Sequence, residues 1–308
     1  MQADIVTLTM NPAVDSASEA EKVQHTHKIR TYGERYDPGG GGVNVARVLA
    51  RLGSDVRACY LAGGATGSVL DELIDACGVP RETITITDHT RVSHSVFERA
   101  SGREYRFVPE GPLIAEHEWR AALDRVTAMQ CRYLVASGSL PRGVPDDFYV
   151  RLIETAGARG TKLILDSSGA ALERAISRGG LHLVKPSQGE FEKLVGRKLH
   201  GWRDVGHAAQ EMVRAGVSDM IVVSMGHNGA VMADDATIEH ALPAKVEVRS
   251  AVGAGDSFVA GMTHGLAQGW DAGSAFRYGM AAGTAAVMTP GTDLCHKADV
   301  DDLFARPR

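Results

Sequence analysis

A carboxylate follows three small residues in the segment RSAVGAGDSFVA, which spans residues 249–260. Gly253, Ala254 and Gly255 precede Asp256, where an apolar helical pattern begins. Small residues before a helix leave several backbone N–H groups unpaired and convergent, and the helix dipole strengthens this anion site. A carboxylate beside it suits a general base for a hydroxyl that attacks a phosphoryl group. The pattern therefore predicts phosphoryl transfer, and the alternative is that Asp256 is only an N-cap.

Four consecutive glycines at residues 39–42 run directly into a second helical pattern, in DPGGGGVNVARVLARLG. The segment lacks the Lys-Ser/Thr of a Walker A loop, and the last glycine of a Rossmann GxGxxG pattern would fall at Asn44. Glycine loses the most backbone freedom on folding, so ordering four of them is costly. A bare backbone at a helix start can approach a ligand closely. We interpret the glycines as a ligand contact, with a flexible connector as the alternative.

Two further segments carry polar groups next to predicted strands. In VKPSQGEFEKLV (184–195), Lys185 ends a strand and Glu190 falls in the first turn of the next helix. Lys185 could contact a nucleotide phosphate and Glu190 could hold Mg²⁺ through water, although both are also typical of ordinary strand and helix ends. The segment VVSMGHNGAV (222–231) predicts a strand, a turn and a strand. Its polar and turn residues could edge a nucleotide pocket: Ser224, Gly226 and Gly229.

Segments 15–36 and 88–108 are polar and strand-like, so they could pair as an accessory sheet or form separate surface hairpins. They contain five basic residues of interest, namely Lys28, Arg30, Arg91, Arg103 and Arg106. Arginine matches the geometry of a phosphate with two parallel N–H donors, so these residues predict a phosphorylated substrate. Each one alone is also typical of a solvated surface.

Composition excludes several classes of function. The chain has 308 residues, a net charge of −5 and no basic block, which argues against nucleic-acid and anionic-membrane partners. Its four cysteines are widely spaced without a CxxC pair, so we expect no disulfide framework or zinc site and a reducing cytoplasm. No signal-peptide pattern, apolar run of membrane-spanning length or GxSxG motif is present.

Short apolar runs alternate with longer helical patterns, which predicts a parallel sheet covered by helices, with ligands at the carboxyl ends of the strands. The predicted strands are 5–8, 56–61, 133–136, 162–165, 181–184 and 220–223, and a further strand over 246–250 is expected to lead into the GAGD segment. The predicted helices include 43–52, 67–77, 116–129, 145–157, 188–195, 208–215 and 256–267.

The order of five motifs resembles the PfkB branch of the ribokinase-like carbohydrate kinases over nearly the whole chain: NPAVD, GGGGVNVAR, SGSLPRG, the 185–190 segment and AVGAGDSFVAG. Four more look like the minor-type bacterial 6-phosphofructokinases: AGGATG, ASGREYRFV, LDSSGAAL and GTDLC. The resemblance implies a single α/β domain, built as a three-layer sandwich with a mostly parallel central sheet. It also implies a β lid from about 14–36 and 88–108, which in the family closes the active site and forms the dimer contact.

The resemblance also implies roles for individual residues. The base falls on Asp256, and the anion hole falls on Gly253, Ala254 and Gly255. Contacts to the sugar fall on Asp15, Gly40, Gly41 and Asn44, and contacts to its phosphate fall on Arg91 and Arg106, together with Ser139. Lys28 would bridge sugar and nucleotide. ATP contacts fall on Lys185, Ser187, Ser224, Gly226, Gly229 and Gly283. Glu190 would hold Mg²⁺ through water, and Ser250, Val252 and Gly291 match positions associated with a monovalent cation such as K⁺.

The sequence departs from the family at two places. The family's magnesium motif Asn-x-x-Glu begins here with Ser187, which keeps a hydroxyl but loses the reach of the amide. We therefore expect weaker Mg²⁺ binding or an extra water. Thr289 and Asp293 stand where the nearest group tends to have Asn and Arg, which leaves potassium dependence open.

The expected function is ATP-dependent phosphorylation of D-fructose 6-phosphate at the C1 hydroxyl, giving fructose 1,6-bisphosphate and ADP in glycolysis. We expect a homodimer formed through the lid, or a tetramer with ATP. The alternatives are a tagatose-6-phosphate kinase or 1-phosphofructokinase with the same chemistry, and a non-catalytic regulator that binds nucleotide or sugar. The intact GAGD segment argues against the regulator, and the paired arginines argue against an unphosphorylated sugar.

Overall fold

The computed structural model describes residues 3–306, which form two β-sheets and ten α-helices. In chain order the strands are β1 (Ile5–Thr9), β2 (Ala13–Ala20), β3 (Tyr32–Gly39), β4 (Val56–Ala62), β5 (Arg81–Thr85), β6 (Arg91–Glu98), β7 (Arg103–Phe107), β8 (Tyr133–Ser137), β9 (Lys162–Asp166), β10 (Leu181–Val184), β11 (Ser218–Ser224), β12 (Ala230–Ala233) and β13 (Ile238–Ala241). The helices are α1 (Gly41–Leu52), α2 (Gly64–Ala76), α3 (Glu116–Ala128), α4 (Phe148–Gly157), α5 (Gly169–Arg178), α6 (Gln188–Val195), α7 (Gly201–Arg214), α8 (Ala254–Ala267), α9 (Ala272–Val287) and α10 (Lys297–Ala305).

The large sheet has nine strands in the order β13-β12-β11-β10-β9-β8-β1-β4-β5. Seven neighbouring strands of this sheet pair in parallel, namely β11, β10, β9, β8, β1, β4 and β5. Strands β12 and β13 add an antiparallel edge. Successive side chains of β8 enter opposite cores, with Tyr133 and Val135 on one face and Leu134 and Ala136 on the other. This alternation buries both faces of the sheet. The structure thus confirms the three-layer α/β sandwich.

Helices cover the two faces in separate groups. Side chains of α1, α2, α8, α9 and α10 pack into one core, and those of α3 to α7 pack into the other. Helices α8 and α9 approach closely because glycines lie between them: a Cβ placed on Gly261 would lie 2.8 Å from Ala282 Cβ. The helix that begins at the GAGD segment is therefore fixed by its packing against α9.

The small sheet has four strands in the order β3-β2-β6-β7. Strand β2 pairs in antiparallel fashion with β3 and in parallel with β6, so that Asp15 lies between Asp37 and Ser93. The two polar segments therefore join in one sheet, as the family resemblance implied, and the alternative of separate surface hairpins is wrong.

Each of the six strands predicted for the large sheet lies on an observed strand, and each predicted helix overlaps an observed one. The helix predicted over 208–215 is the second half of α7. The strand predicted over 246–250 is wrong, because this segment has irregular backbone. Its last two N–H groups, on Arg249 and Ser250, donate to the carbonyl of Val287 at the end of α9.

Within residues 3–306, no helix is both long enough and apolar enough to cross a membrane.

Candidate active site

Asp256 lies in the first turn of α8, directly after the three small residues. Gly253 is the N-cap of this helix, and its left-handed backbone (φ +71°) is one that glycine adopts without strain. Asp256 is therefore not the N-cap. Its carboxylate Oδ2 instead accepts a hydrogen bond of 2.9 Å from Asn44 Nδ2 on α1. The contact joins the two glycine-containing motifs that the sequence singled out.

The surroundings of Asp256 raise its pKa to about 6, chiefly because the carboxyl is buried. The nearby carboxylate of Asp166 raises the pKa further, whereas the Asn44 hydrogen bond and the Lys185 ammonium favour the charged form. A group with this pKa is ionised at neutral pH yet remains basic enough to accept a proton. These are the properties of a general base.

The four glycines are required by close packing against the protein itself. A side chain on Gly39 would collide with the carboxylate of Asp15, and one on Gly41 would collide with the hydroxyl of Ser137. A Cβ on Gly42 would lie 2.6 Å from the carbonyl oxygen of Leu8. Gly40, with φ +104°, is the N-cap of α1, and a Cβ placed on it would lie 2.9 Å from Pro12 Cα. The alternative of a flexible connector is wrong, because the glycines hold α1 against β1 and β8. The predicted ligand contact stays a prediction.

Asp15 lies on β2 and faces the basic residues of the small sheet. Burial raises its pKa to about 6, while the charges of Arg106, Arg91 and Arg47 oppose that rise. The predicted sugar ligand and both predicted phosphate ligands therefore lie in one electrostatic neighbourhood.

The two arginines differ in how their side chains are engaged. Arg91 opens β6 and donates to three backbone carbonyls, those of Asn11 (2.8 Å), Pro109 (2.9 Å) and Pro12 (3.4 Å). Burial lowers its pKa. Arg106 is exposed on β7, the edge strand of the small sheet. Arg91 thus fastens the β1–β2 turn to the segment after β7, whereas Arg106 remains open to a ligand.

Two further predicted sugar-phosphate ligands lie in loops. Ser139 follows β8 and is exposed, and its hydroxyl accepts a hydrogen bond of 3.3 Å from Asn11 Nδ2. Lys28 is exposed in the connection between β2 and β3, outside the strands of the small sheet. The structure thus brings Ser139 to the edge of the site through Asn11, and it shows Lys28 only in a surface loop.

Lys185 follows β10 and lies beside the GAGD segment. A Cβ placed on Gly255 would be 3.6 Å from Lys185 Nζ. The ammonium pairs at 3.1 Å with Asp166, the last residue of β9, and only 8% of Lys185 is exposed. Burial raises the pKa of Asp166, and Lys185 opposes that rise. The carboxyl ends of β9 and β10 therefore present a buried ion pair next to the base.

Ser187 and Glu190 form a capping box at the start of α6. The Glu190 carboxylate accepts hydrogen bonds from the N–H (2.8 Å) and hydroxyl (2.6 Å) of Ser187, and the Glu190 N–H donates to the Ser187 hydroxyl. Glu190 thus has the structural role that the sequence left open beside the metal role. Ser187 also forms a β-bridge with Ser224, so two predicted ATP contacts are adjacent.

The remaining predicted ATP contacts are glycines with close neighbours. Gly226 and Gly229, both with positive φ, flank the short turn between β11 and β12, and a side chain on Gly229 would collide with the Ala241 carbonyl. A Cβ on Gly283 of α9 would lie 3.1 Å from the Ala254 carbonyl oxygen. Gly283 therefore packs behind the predicted anion hole.

The residues predicted to surround a monovalent cation lie on two neighbouring segments. The Ser250 hydroxyl is buried and accepts a hydrogen bond of 3.2 Å from Val252 N–H. Gly291, with φ +59°, lies in the loop after α9 and next to Arg35 of β3. Because the Ser250 segment bonds to the end of α9, both segments adjoin that helix end.

A model of the pfkB family carbohydrate kinases matches residues 8–299 of this chain. The chain belongs to the PfkB family. It is 41% identical over 302 residues to the ATP-dependent 6-phosphofructokinase isozyme 2 of Escherichia coli K12, covering 98% of both chains. The crystal structure of Escherichia coli phosphofructokinase-2 in complex with fructose-6-phosphate matches it with a TM-score of 0.93, 40% identity and 99% coverage of each chain. The 1-phosphofructokinase of Borreliella burgdorferi is 31% identical, covering 99% of this chain and 97% of its own.

Within residues 3–306 of this PfkB chain, no three His, Cys, Asp or Glu side chains form a group that could hold a metal ion by themselves. Kinases commonly hold Mg²⁺ through one or two carboxylates together with substrate phosphates and water. Glu190 and Asp166 are close enough for the charge of Glu190 to raise the pKa of Asp166. These two carboxylates fit an ion whose other oxygen ligands come from the nucleotide.

Sequence reasoning missed three charged residues of this site. Asp166 is missed, although a charged residue at the end of a buried strand is a usable signal and Lys185, just after β10, was found by it. Arg47 and Asp37 are also missed. Arg47 interrupts the apolar pattern of α1, is only 4% exposed, and lies 3.5 Å from Asp37 of β3.

Proposed function

We propose that this chain is an ATP-dependent 6-phosphofructokinase, which transfers the γ-phosphoryl group of ATP to the C1 hydroxyl of D-fructose 6-phosphate. One observation carries the proposal: Asp256, bonded to Asn44 beside the GAGD turn, in a chain 41% identical to a 6-phosphofructokinase over 302 residues. The products are fructose 1,6-bisphosphate and ADP. This assigns the chain to glycolysis.

In the proposed reaction, Asp256 accepts the proton of the C1 hydroxyl as its oxygen attacks the γ-phosphorus. The bond between that phosphorus and the β,γ-bridging oxygen breaks, and ADP leaves. The backbone amides of Gly253, Ala254 and Gly255 stabilise the negative charge that develops on the transferred group. Lys185, beside Gly255, adds a positive charge at the same place. Positioning and charge stabilisation are most of what phosphoryl transfer requires.

We propose that the sugar phosphate lies between the small sheet and the start of α1. Asp15 and Asn44, with the backbone of Gly40 and Gly41, would bind the sugar hydroxyls. Arg106 would bind the 6-phosphate as the open guanidinium, with Ser139, Arg91 and Lys28 around it. The electrostatic proximity of Asp15 to both arginines supports this arrangement. The small sheet would then act as a lid over the bound sugar.

We propose that ATP lies along the carboxyl ends of β10 and β11. Its contacts would be Lys185, Ser187, Ser224, Gly226, Gly229 and Gly283. Glu190 and Asp166 would hold Mg²⁺, which neutralises phosphate charge when bound. Ser250, Val252 and Gly291 would surround a K⁺ ion, a proposal supported by the crystal structure of the Escherichia coli protein in complex with potassium.

We propose that two copies of the chain associate through the small sheet. Large apolar side chains are exposed on three of its strands: Tyr32, Tyr36, Val92, Phe97 and Phe107. Escherichia coli phosphofructokinase-2 has a tetrameric inhibited form, which supports the proposal that this chain can also form a tetramer. That ATP promotes the tetramer stays a prediction. A cytoplasmic location stays a prediction.

Coupled ATP turnover tests the function. The purified protein is assayed with Mg²⁺ and K⁺ on fructose 6-phosphate, tagatose 6-phosphate, fructose 1-phosphate and fructose, and kcat/KM values are compared. We expect a clear preference for fructose 6-phosphate. Preference for fructose 1-phosphate would transfer the assignment to the activity named for the Borreliella burgdorferi relative, with the mechanism unchanged. No turnover with any sugar would support the non-catalytic regulator.

A further inference from the structure

Arg47 lies behind the proposed active site, on the side of Asn44 that faces away from the base. Its Nη1 donates to the Asn44 side-chain oxygen Oδ1 (3.2 Å) and to the Pro38 carbonyl (2.9 Å). Its Nη2 pairs with Asp37 Oδ1 at 3.5 Å. The side chain is 4% exposed, so a full positive charge is held within the fold next to one particular amide. Burying a charge is costly, and it persists where it has partners such as these.

Chemistry fixes which end of the Asn44 amide faces which neighbour. A guanidinium only donates hydrogen bonds, so the Asn44 atom beside Arg47 must be the oxygen. The NH₂ group then points to Asp256, where its 2.9 Å hydrogen bond needs an acceptor. An ionised carboxylate accepts at both oxygens, whereas a protonated one also has a hydrogen to donate. Arg47 therefore opposes the flipped amide, which would offer an oxygen to protonated Asp256.

We propose that Arg47 is a positioning residue, which holds the Asn44 amide with its NH₂ group towards Asp256 and so keeps the base in its proton-accepting form. This inference rests on the proposed role of Asp256. Asp37 anchors Arg47 from β3 and also pairs with Arg35 at 2.9 Å. A chain of contacts thus runs from the small sheet through α1 to the base.

Other charged groups also face the two residues concerned. Asp256 is near Asp166 of β9, Lys185 after β10 and Asp15 of β2. The charge of Arg47 also acts on Asp15. None of these groups orients the Asn44 amide, because the hydrogen bonds of that amide go to Arg47 and Asp256. The proposal is therefore tested through Asn44 and not through net charge alone.

The experiment measures kcat against pH, with both substrates saturating, for wild type, Arg47→Met, Asn44→Ala and the double variant. The acid limb of this profile reports a base that must be unprotonated in the complex. We expect Arg47→Met and Asn44→Ala each to move the limb to higher pH by about one unit. Asn44→Ala removes the hydrogen bond to the ionised base, and Arg47→Met leaves the amide free to turn its NH₂ group away from the base. The double variant should move it no further than Asn44→Ala alone, because the two residues act through one bond.

The matched control is Arg81→Met. Arg81 opens β5 at the opposite, amino end of the strands, where it pairs with Asp71 (3.1 Å) and Asp75 (2.7 Å). It reproduces the loss of a paired arginine without touching the site, so its acid limb should coincide with that of wild type. An unmoved limb in Arg47→Met, or shifts that add in the double variant, would overturn the proposal.

Arg47→Lys keeps the experiment decisive where Arg47→Met does not fold. A lysine retains the charge, but its single ammonium cannot reach Asp37 on one side and the Asn44 oxygen on the other. We expect a smaller shift in the same direction, and a limb identical to wild type would refute two-sided positioning. Failure of the underlying function looks different: Asp256→Asn would keep both its turnover and its acid limb.

Discussion

Asp256 and Arg106 are predicted to act on the same sugar, but their surroundings differ in almost every respect. Asp256 lies in the first turn of a helix that is packed against α9, and burial raises its pKa to about 6. Arg106 is exposed on the edge strand of a four-stranded sheet. At the position of Asp256, the surrounding fold sets the pKa of the carboxyl group. At the position of Arg106, the guanidinium stays free for a ligand that carries a negative charge.

The contrast continues inside the small sheet. Arg91 gives three of its donors to backbone carbonyls of the β1–β2 turn and the segment after β7, so it already has a structural task. Arg106 stands near the same aspartate without such a clamp in the structure. The sequence predicts the same role, binding of phosphate, for Arg91 and Arg106, whereas their contacts in the structure differ. The difference predicts distinct consequences for their replacement.

The largest expected effect is the loss of the base. Asp256→Asn should lower kcat by roughly two to four orders of magnitude, because general-base catalysis typically contributes that much. KM for fructose 6-phosphate should change little, since the amide keeps the size and the hydrogen bond to Asn44. Steady-state kinetics measure both. Asp271→Asn is the control, because Asp271 is a true N-cap and asparagine caps a helix equally well. A kcat within tenfold of wild type would refute the base assignment.

The next effect separates the arginines of the small sheet. Arg106→Ala should raise KM for fructose 6-phosphate by about 10- to 100-fold, the value of one or two charge-assisted hydrogen bonds, and leave KM for ATP nearly unchanged. Arg91→Ala should also lower the free energy of unfolding, by about 1–3 kcal/mol, because three backbone carbonyls, two of them partly buried, lose their donor. Urea unfolding distinguishes the two. Equal losses for ATP and sugar in Arg106→Ala would refute its role as a phosphate ligand.

Much of the large sheet was predictable, because short apolar strands and amphipathic helices have clear periods. Helix α9 was not among the predicted helices, and its run of small residues gives weak periodicity although it packs closely on α8. The strand expected over 246–250 failed for a different reason. Its alternation is typical of a strand, but its final N–H groups bond to a helix end that is close only in three dimensions.

The site was predictable wherever one segment carried the pattern, as in GAGD. It was not predictable where the pattern is spread over distant segments. Nothing in the sequence connects Asn44 to Asp256, Asp166 to Lys185, or Arg47 to Asp37, because each pair meets only when the layers assemble. The four glycines at residues 39–42 show a different limit. Their run marked a place of close approach, but the atoms that they approach in the structure belong to the protein itself.

The raised pKa of Asp256 also predicts an unusual pH dependence of stability. An unperturbed aspartate has a pKa of 3.8, and the pKa of Asp256 in the fold is about 6, so the folded state binds the proton more tightly. The contribution to stability is complete below the unfolded value and is lost as pH rises through about 6. Asp256→Asn cannot titrate, so it should be more stable than wild type by about 1–3 kcal/mol at pH 8, with a smaller difference at pH 5.

Urea unfolding at the two pH values, at one protein concentration, measures this difference. Asp271→Asn again serves as the control, and we expect its effect on the free energy of unfolding to depend on pH in the opposite direction. Hydrogen bonds from Ser274 lower the pKa of Asp271, so its carboxylate contributes stability above its unfolded pKa and loses it as pH falls. An Asp256→Asn variant that is less stable than wild type at pH 8 would show that burial of this carboxylate costs the fold nothing.

The smallest expected effect concerns Ser187, which lies at the start of α6 beside the large sheet. Ser187→Asn restores the residue that the family motif carries, and asparagine caps a helix as well as serine does, so stability should change by less than about 0.5 kcal/mol. The Mg²⁺ concentration for half-maximal velocity should fall about two- to fivefold, since the amide adds one polar contact worth roughly 1 kcal/mol. A magnesium titration at fixed ATP measures this concentration.

Glu190→Gln should raise the Mg²⁺ concentration for half-maximal velocity and also weaken the capping box at α6. If Ser187→Asn leaves the magnesium response unchanged while Glu190→Gln affects only unfolding, the pair is a helix cap alone, and Mg²⁺ must depend on Asp166 and the nucleotide.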